Sequence, residues 1–354
     1  MRKNLELTED EATKAAKALA KMKVSDAAKA DFLGALANKG ETKREIVAFA
    51  RVFRTLQKNP HVRAWKDQAI DVCGTGGDHS GSYNISTTVA FVLAAAEVPV
   101  FKHGNRSVTS LCGSADFLSA NGIPLEATDE LWQESLRQLH FAFFFAPKYN
   151  PAFKHVALAR RKVAASTHGT TRTIFNLLGP ILNPGKPAFQ LVGVFSAPFF
   201  QPMANYYLPI VAESLLELGV RRGLVVHGHL PNGTGLDELS VIGGNSVAGV
   251  GLTQNGKTEW EWNPADANLH SGDMTGLAGG DATRNLAVLN ALLNSKAPES
   301  LLDTICFNAG AALWIAEKAN DLKSGVLEAK KLLTTGPVRD WLKRAREFFQ
   351  DHKT

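Results

Sequence analysis

Cysteine is scarce in this chain. Cys73, Cys112 and Cys306 are widely spaced and form no CxxC pair, which excludes a disulfide framework and a cysteine zinc site and suits a reducing cytoplasm. A block of like charge is missing too. The 39 basic and 34 acidic residues leave a net charge of +5, a balance that suits a small anionic ligand and lacks the Lys/Arg run of a nucleic-acid tail. The longest apolar runs, Val89–Ala96 and Phe141–Ala146, are far too short to cross a bilayer. The opening segment MRKNLELTEDEATKAAKALAK has no apolar h-region, so no signal peptide is expected and the protein reads as cytosolic. No Ser/His/Asp or Cys/His pattern of nucleophilic catalysis stands out, and no internal repeat.

What the chain does have is enough apolar content, 45% of 354 residues, for two domains or one large α/β domain with an attachment. Residues 1–68 read as a small helical domain. Thr8 and Glu11 predict a capping box, and Ala12, Ala15, Ala16, Leu19 and Met22 recur at helical spacing. Phe32, Leu33 and Leu36 share a face that ends at Gly40, and Ile46, Phe49, Val52, Phe53 and Leu56 share another. So many large apolar residues are hard to bury in a 68-residue bundle, which predicts a homodimer through this part. From residue 69 onward, short apolar runs alternate with helical segments: AIDVC, a helix over 85–96, VPVF, a helix over 114–120, then QLVGVF, GLVVHG and a β-rich part around SVIGGNSVAGVGL. That alternation predicts a large α/β domain over 69–354 with a mainly parallel sheet. Helices are expected around 285–293, 301–318, 324–333 and 337–349. A segment near 165–185 is expected to join the two domains.

Three loops leave predicted strands on the carboxyl edge, where open α/β sheets bind ligands. GTGGDHSGSYNIST (74–87) follows AIDVC and runs into a helix. It is neither a Walker loop nor the dinucleotide fingerprint, since no Gly-Lys-Ser/Thr follows and His79 stands where the third glycine belongs. Its backbone donors at a helix N-terminus suit an anion, while Asp78 favours contact through a cation or a hydroxyl-bearing substrate. Lys102–Ser110, with Ser114 beyond, supplies cations, glycine and hydroxyls. His229–Glu238 ends in Asp237 and Glu238, adjacent carboxylates that suit a hard cation shared with phosphate. Together the loops suit a polyphosphorylated sugar held through Mg²⁺. Cys112 has no base or metal partner in the pattern and reads as a small buried residue.

With those residues in view, GTGGD…NIST, KHGNR…GSAD, RTIFNLLGPILNP (172–184) and GLDELS (235–240) resemble the anthranilate phosphoribosyltransferase family. The similarity runs over essentially the whole chain, from LTEDEA…KGET to FNAGAAL (307–313). The resemblance implies a homodimer that transfers phosphoribose from phosphoribosyl diphosphate (PRPP) to anthranilate, with Mg²⁺ and with neither nucleic acid nor membrane as partner. Carried onto this chain, it implies that Gly74, Gly77, Asp78, Ser82, Asn84, Ile85, Ser86 and Thr87 hold PRPP. Lys102, His103, Gly104, Asn105, Arg106, Ser107, Val108, Thr109, Ser110 and Ser114 would continue that site. Ser86, Asp237 and Glu238 would hold Mg²⁺, and Gly74, Asn105 and Arg160 would meet anthranilate. Lys102, Asn105 and Arg160 are the candidate catalytic groups, with Arg172 a rival of Arg160 for the acceptor carboxylate.

The chain also departs from the family pattern. Tyr149-Asn150-Pro151-Ala152 replaces the usual Tyr-His-Pro-Ala, residues 164–171 look inserted, Ser119 stands where glutamate is common, and His79 lies in the first loop. The first two fall on the acceptor side. A phosphoribosyltransferase with a different aromatic acceptor therefore stays open as an alternative. So do a nucleoside phosphorylase of the same fold and a non-catalytic nucleic-acid-binding paralogue.

Overall fold

The structure is a computed structural model that describes residues 5–78, 80–106, 111–166, 172–195 and 201–352. Helices α1 (Glu9–Leu19), α2 (Asp26–Lys39) and α3 (Lys43–Thr55) open the chain. Each begins where a hydroxyl satisfies an orphan helix donor. Thr8 and Glu11 form the predicted capping box on α1, Ser25 caps α2, and Thr42 and Glu45 form a second box on α3. Gly40 takes φ of 84° at the end of α2. Periodicity overran the first and third helices. Helix α1 stops at Leu19, and Met22 falls in the following turn, 81% exposed. Leu56 lies past the end of α3 and is 41% exposed.

The strands are β1 (Ile70–Gly74), β2 (Val100–Gly104), β3 (Phe141–Phe145), β4 (Phe189–Gly193), β5 (Arg222–His229), β6 (Gly235–Leu236), β7 (Asn245–Val250) and β8 (Glu259–Trp262). They form one eight-stranded sheet in the order β3-β2-β1-β4-β5-β7-β8, with β6 on β5. Pairings from β3 through β5 are parallel, and β6, β7 and β8 join antiparallel. The fold class read from the sequence therefore holds. Strand β3 was visible only as an apolar run, because FAFFF is buried at every position and shows no period.

Helices α4 (Ile85–Ala95), α5 (Ser114–Ala120), α6 (Asp129–Leu139), α7 (Ala146–Tyr149), α8 (Ala157–Ser166), α9 (Ile174–Ile181) and α10 (Gln201–Glu217) separate the strands. Helices α11 (Ala282–Leu293), α12 (Glu299–Ile315), α13 (Leu322–Thr334) and α14 (Pro337–Asp351) close the chain. Alternate residues of the sheet feed two cores. Leu191, Leu224, Val226 and Val247 pack with α4 and α12–α14, whereas Val192, Val225, Ala248 and Val250 pack with α1–α3, α8, α9 and α10. Phe49 and Phe53 of the first helices are thus buried within one chain, with Phe32 partly buried against them. Phe53 sits edge-on to both Phe153 and Phe175, and Phe32 stacks on Phe49. The expected surplus of unburied aromatics does not arise.

One buried group makes a stability prediction. Glu41 accepts a hydrogen bond from Tyr207 at 2.6 Å, yet burial pushes its carboxyl up to about 6. A carboxyl raised in the folded state is stabilising when protonated, so its contribution falls as pH rises from about 4.5 to about 6 and stays low above that. The shift corresponds to about 2 kcal/mol. Glu41→Gln keeps an acceptor for Tyr207 and is expected to raise stability at pH 7 by about 1–2 kcal/mol. It should also flatten the pH profile between 4.5 and 6. Denaturant midpoints measured across pH check this, and a variant weaker than the parent at pH 7 refutes it.

Candidate active site

Strands β2, β1, β4 and β5 lie in that order and run parallel, so the three loops leave from one carboxyl edge. Gly74 and Gly193 are register partners at the tips of β1 and β4. A Cβ at either position would overlap Asp237, so the two glycines make the room through which the third loop reaches the first. Asp237 Oδ2 accepts from Gly76 N at 2.7 Å, and Glu238 Oε1 accepts from Ser86 N at 3.2 Å. Glu238 thereby occupies the anion position at the N-terminus of α4. Gly76 and Gly77 take φ of 69° and 80°, a backbone region open to glycine.

Charge is concentrated here. Burial, then Asp78, holds the Asp237 carboxyl well above its ordinary range, and burial, then Asp237 and Asp78, does the same to Glu238. Lys102 is buried, with Nζ donating to Val72 O at 2.7 Å and to Ser86 Oγ at 3.1 Å. Burial lowers its pKa, while Asp71, Cys73, Glu238 and Asp237 pull the other way. Ser86 thus lies between Lys102 and Glu238. Added positive charge beside Asp237 and Glu238 favours their ionised forms against burial and mutual repulsion. The donor set of Asp237, Glu238 and the Ser86 hydroxyl is all oxygen and fits a hard divalent cation such as Mg²⁺.

Arg160 and Arg172, the two arginines singled out in the sequence, lie near each other. Arg160, on α8, rests over the Phe175 ring at 5.8 Å, and among the described residues its guanidinium has no hydrogen-bond partner. Burial and then the nearby Arg172 lower its pKa, so two guanidinium groups approach each other at this wall. Arg172 donates to Gly77 O and lies over Phe195 at 5.2 Å. Burial lowers its pKa while Asp78 and Asp237 oppose that, which places it nearer the donor loops than Arg160. Asn150 is buried and accepts from Gln57 Nε2 at 2.7 Å, beside Leu182 O. Its side chain is thereby committed to the junction between the helical part and the end of α9.

Several of the residues singled out in the sequence have side chains engaged with neighbours in the chain. The His103 ring is 9% exposed, with Nδ1 at 2.8 Å from Asp71 and Nε2 at 2.8 Å from Gly179 O. Against burial, Asp71 raises its pKa. Asp71, Cys73 and His103 bring three potential metal-ligand atoms within 4.8 Å of one another, but both ring nitrogens are already engaged, so this set is a buried ion pair. Arg106 pairs with Asp116 at 2.9 Å. Ile85 and Thr87 are buried in the first turn of α4. Asn84 spends both ends of its carboxamide on Asn285 and Cys112. Gly104 leaves space for the Ser114 hydroxyl, and Ser82 and Asn105 sit within the loops. His79 and Ser107, Val108, Thr109 and Ser110 lie outside the described residues. Sequence reading missed Asn285 and also Asn308, whose carboxamide brackets Leu239 beside Asp237 and Glu238. Both stand on helices, where no loop motif announces them.

Residues 1–56 match the helical bundle domain, and residues 66–338 the α/β domain, of a glycosyl transferase family. The anthranilate phosphoribosyltransferase of Rubrobacter xylanophilus is 40% identical over 338 residues, covering 96% of this chain and 92% of that protein. The bifunctional protein TrpGD of Thermotoga maritima is 40% identical over 331 residues, and the chain spans 52% of its length. Among solved structures, the anthranilate phosphoribosyltransferase of Thermus thermophilus matches with a TM-score of 0.84 and 37% identity, over 98% of this chain and 97% of that one. The Saccharomyces cerevisiae enzyme in complex with PRPP and Mg shares the fold at a TM-score of 0.77 and 20% identity. With both domains matched in order and relatives of this similarity along nearly its full length, the chain belongs to the anthranilate phosphoribosyltransferase family.

Proposed function

We infer that the protein transfers the phosphoribosyl group of PRPP to anthranilate, giving N-(5-phosphoribosyl)anthranilate and diphosphate, a step of tryptophan biosynthesis. The observation that carries this reading is the pairing of two unlike walls. Carboxylates and a buried lysine meet at the strand edge, and on α8 a guanidinium without a hydrogen-bond partner among the described residues lies near Arg172, which itself reaches the first loop.

The residue types follow from the reaction. Breaking the bond at C1 of the ribose builds positive charge on the sugar and negative charge on diphosphate. Lys102 and the backbone donors of the first loop are preorganised for the leaving group, the kind of electrostatic stabilisation that dominates such catalysis. When bound at Asp237, Glu238 and Ser86, Mg²⁺ supplies further positive charge to the diphosphate. Arg160 pairs with the carboxylate of the acceptor and so aims its amine at C1. An aromatic amine is already neutral at pH 7 and needs no strong base before attack. The His103 ring, held by Asp71 and Gly179, is not required for one. Purified protein given PRPP, Mg²⁺ and a panel of aryl carboxylates tests the acceptor. Mass spectrometry should find the ribosylated product of anthranilate, and preference for another member of the panel would refute it. The inward commitment of Asn150 supports an unchanged acceptor.

A homodimer through the helical part is proposed on narrower ground than the sequence offered. Phe49 and Phe53 are buried within the chain, but Met22, Leu56 and Leu158 stay exposed. Sedimentation at micromolar concentration is expected to show a dimer, and a fully active monomer would end the proposal. No helix among the described residues is long and apolar enough to cross a membrane.

A further inference from the structure

Residues 272–285 lie far along the chain from the loops, yet they fold against the first one. Tyr83 N donates to Leu277 O at 2.8 Å and Gly279 N to Gly81 O at 2.9 Å, around a bridge between Ser82 and Ala278. A Cβ at Gly279 would overlap the backbone of Ser82 and Tyr83, so the strap lies directly on the loop. Asp281 then caps α11, accepting from Arg284 N at 2.8 Å. The first turn of α11 presents Asn285, which is 1% exposed.

Asn285 Nδ2 donates to Asn84 Oδ1 at 2.7 Å. Asn84 Nδ2 in turn donates to Cys112 O at 3.2 Å. Two carboxamides therefore run in series from α11, through the end of the first loop, to the end of the second. A carboxamide can sit in either of two orientations related by a flip, and a donor fixed at its oxygen selects one of them. Lys102, Ser86 and the first-loop donors can act on one diphosphate only if the two loops keep their spacing.

We propose that Asn285 is a positioning residue for the donor site. It fixes the orientation of Asn84 and through it the spacing of the two loops that hold the diphosphate. The proposal rests on the PRPP reading above, and nothing in it involves the acceptor wall. Asn285→Leu removes the donor at similar volume and leaves buried Asn84 Oδ1 without a partner, a loss that corresponds to about a tenfold effect or more.

The experiment measures steady-state KM for PRPP and for anthranilate, together with thermal midpoints, in Asn285→Leu, Asn84→Ala and the double variant. KM for PRPP is expected to rise about tenfold, with KM for anthranilate held. The double variant should lose less than the product of the two single losses, because Asn285 acts on the site through Asn84 while also touching the Cys112 side chain. Equal loss for both substrates, or a lowered midpoint with KM for PRPP unchanged, overturns the proposal. So does a double variant in which the two losses multiply. If Asn285→Leu does not fold, Asn285→Asp replaces it, presenting an acceptor to Asn84 Oδ1 and forcing the carboxamide to turn. An unchanged KM for PRPP in that variant is equally fatal. A parent protein that does not use PRPP at all would end the functional reading, whereas a working parent with indifferent Asn285 variants ends this proposal alone.

Discussion

Asp237→Asn combined with Glu238→Gln is expected to remove Mg²⁺-dependent turnover, by a factor of about a hundred or more, while the fold is kept and the metal-free protein gains stability near neutral pH. The reason lies in the same carboxyls. Burial and mutual repulsion raise both pKa values in the folded state. The stabilising form is then the protonated one, present at low pH and lost as pH rises from the ordinary carboxylate range through the raised values. Above that window the ionised pair weighs against folding unless a cation is bound. Neutral amides of the same shape remove the conflict and the site together. Thermal scans at pH 7 with Mg²⁺ and PRPP should stabilise the parent and leave the variant unmoved. Near-normal turnover of the double variant at low Mg²⁺ would contradict the assignment.

Arg160→Ala is expected to raise KM for anthranilate and leave KM for PRPP almost unchanged. Losing the partner of a partly desolvated carboxylate costs about 2–4 kcal/mol, or roughly 30- to 1,000-fold. Arg160 suits this role because its guanidinium lies over Phe175 with no hydrogen-bond partner among the described residues. Arg172 is the control, and the structure gives it a different expectation. It holds Gly77 O in the first loop and faces Asp78 and Asp237, so Arg172→Ala should raise KM for PRPP as well. If Arg160→Ala weakens both substrates equally, or if only Arg172→Ala moves the anthranilate KM, the acceptor wall is misplaced.

How much of this was legible beforehand depends on how local each signal is. The capping box at Thr8 and the glycine-bounded strands are written in neighbouring residues, and the structure has them where the pattern predicts, whereas the equally local box at Thr42 was not read. Asp237 reaches Gly76 through the room left by Gly74 and Gly193, which pair in register, a relation the sequence holds only once the sheet order is known. His103 and Asn84 carry a second relation that the loop motifs do not announce: long-range partners, Asp71 and Asn285, hold their side chains. The Gln57–Asn150 hydrogen bond likewise joins residues far apart in the chain, so it could not be read from the departure at Asn150. Met22 was misplaced because apolar periodicity does not register where a helix stops.

The central claim is that donor and acceptor walls act on one reaction, and a single progress curve tests it. Anthranilate fluorescence is followed with limiting PRPP and saturating Mg²⁺ while diphosphate is assayed in the same sample. The account predicts that fluorescence is lost in proportion to PRPP supplied, that one diphosphate appears per anthranilate consumed, and that both stop when Mg²⁺ is chelated. Diphosphate release at an undiminished rate without anthranilate, or unchanged fluorescence while PRPP disappears, would contradict it.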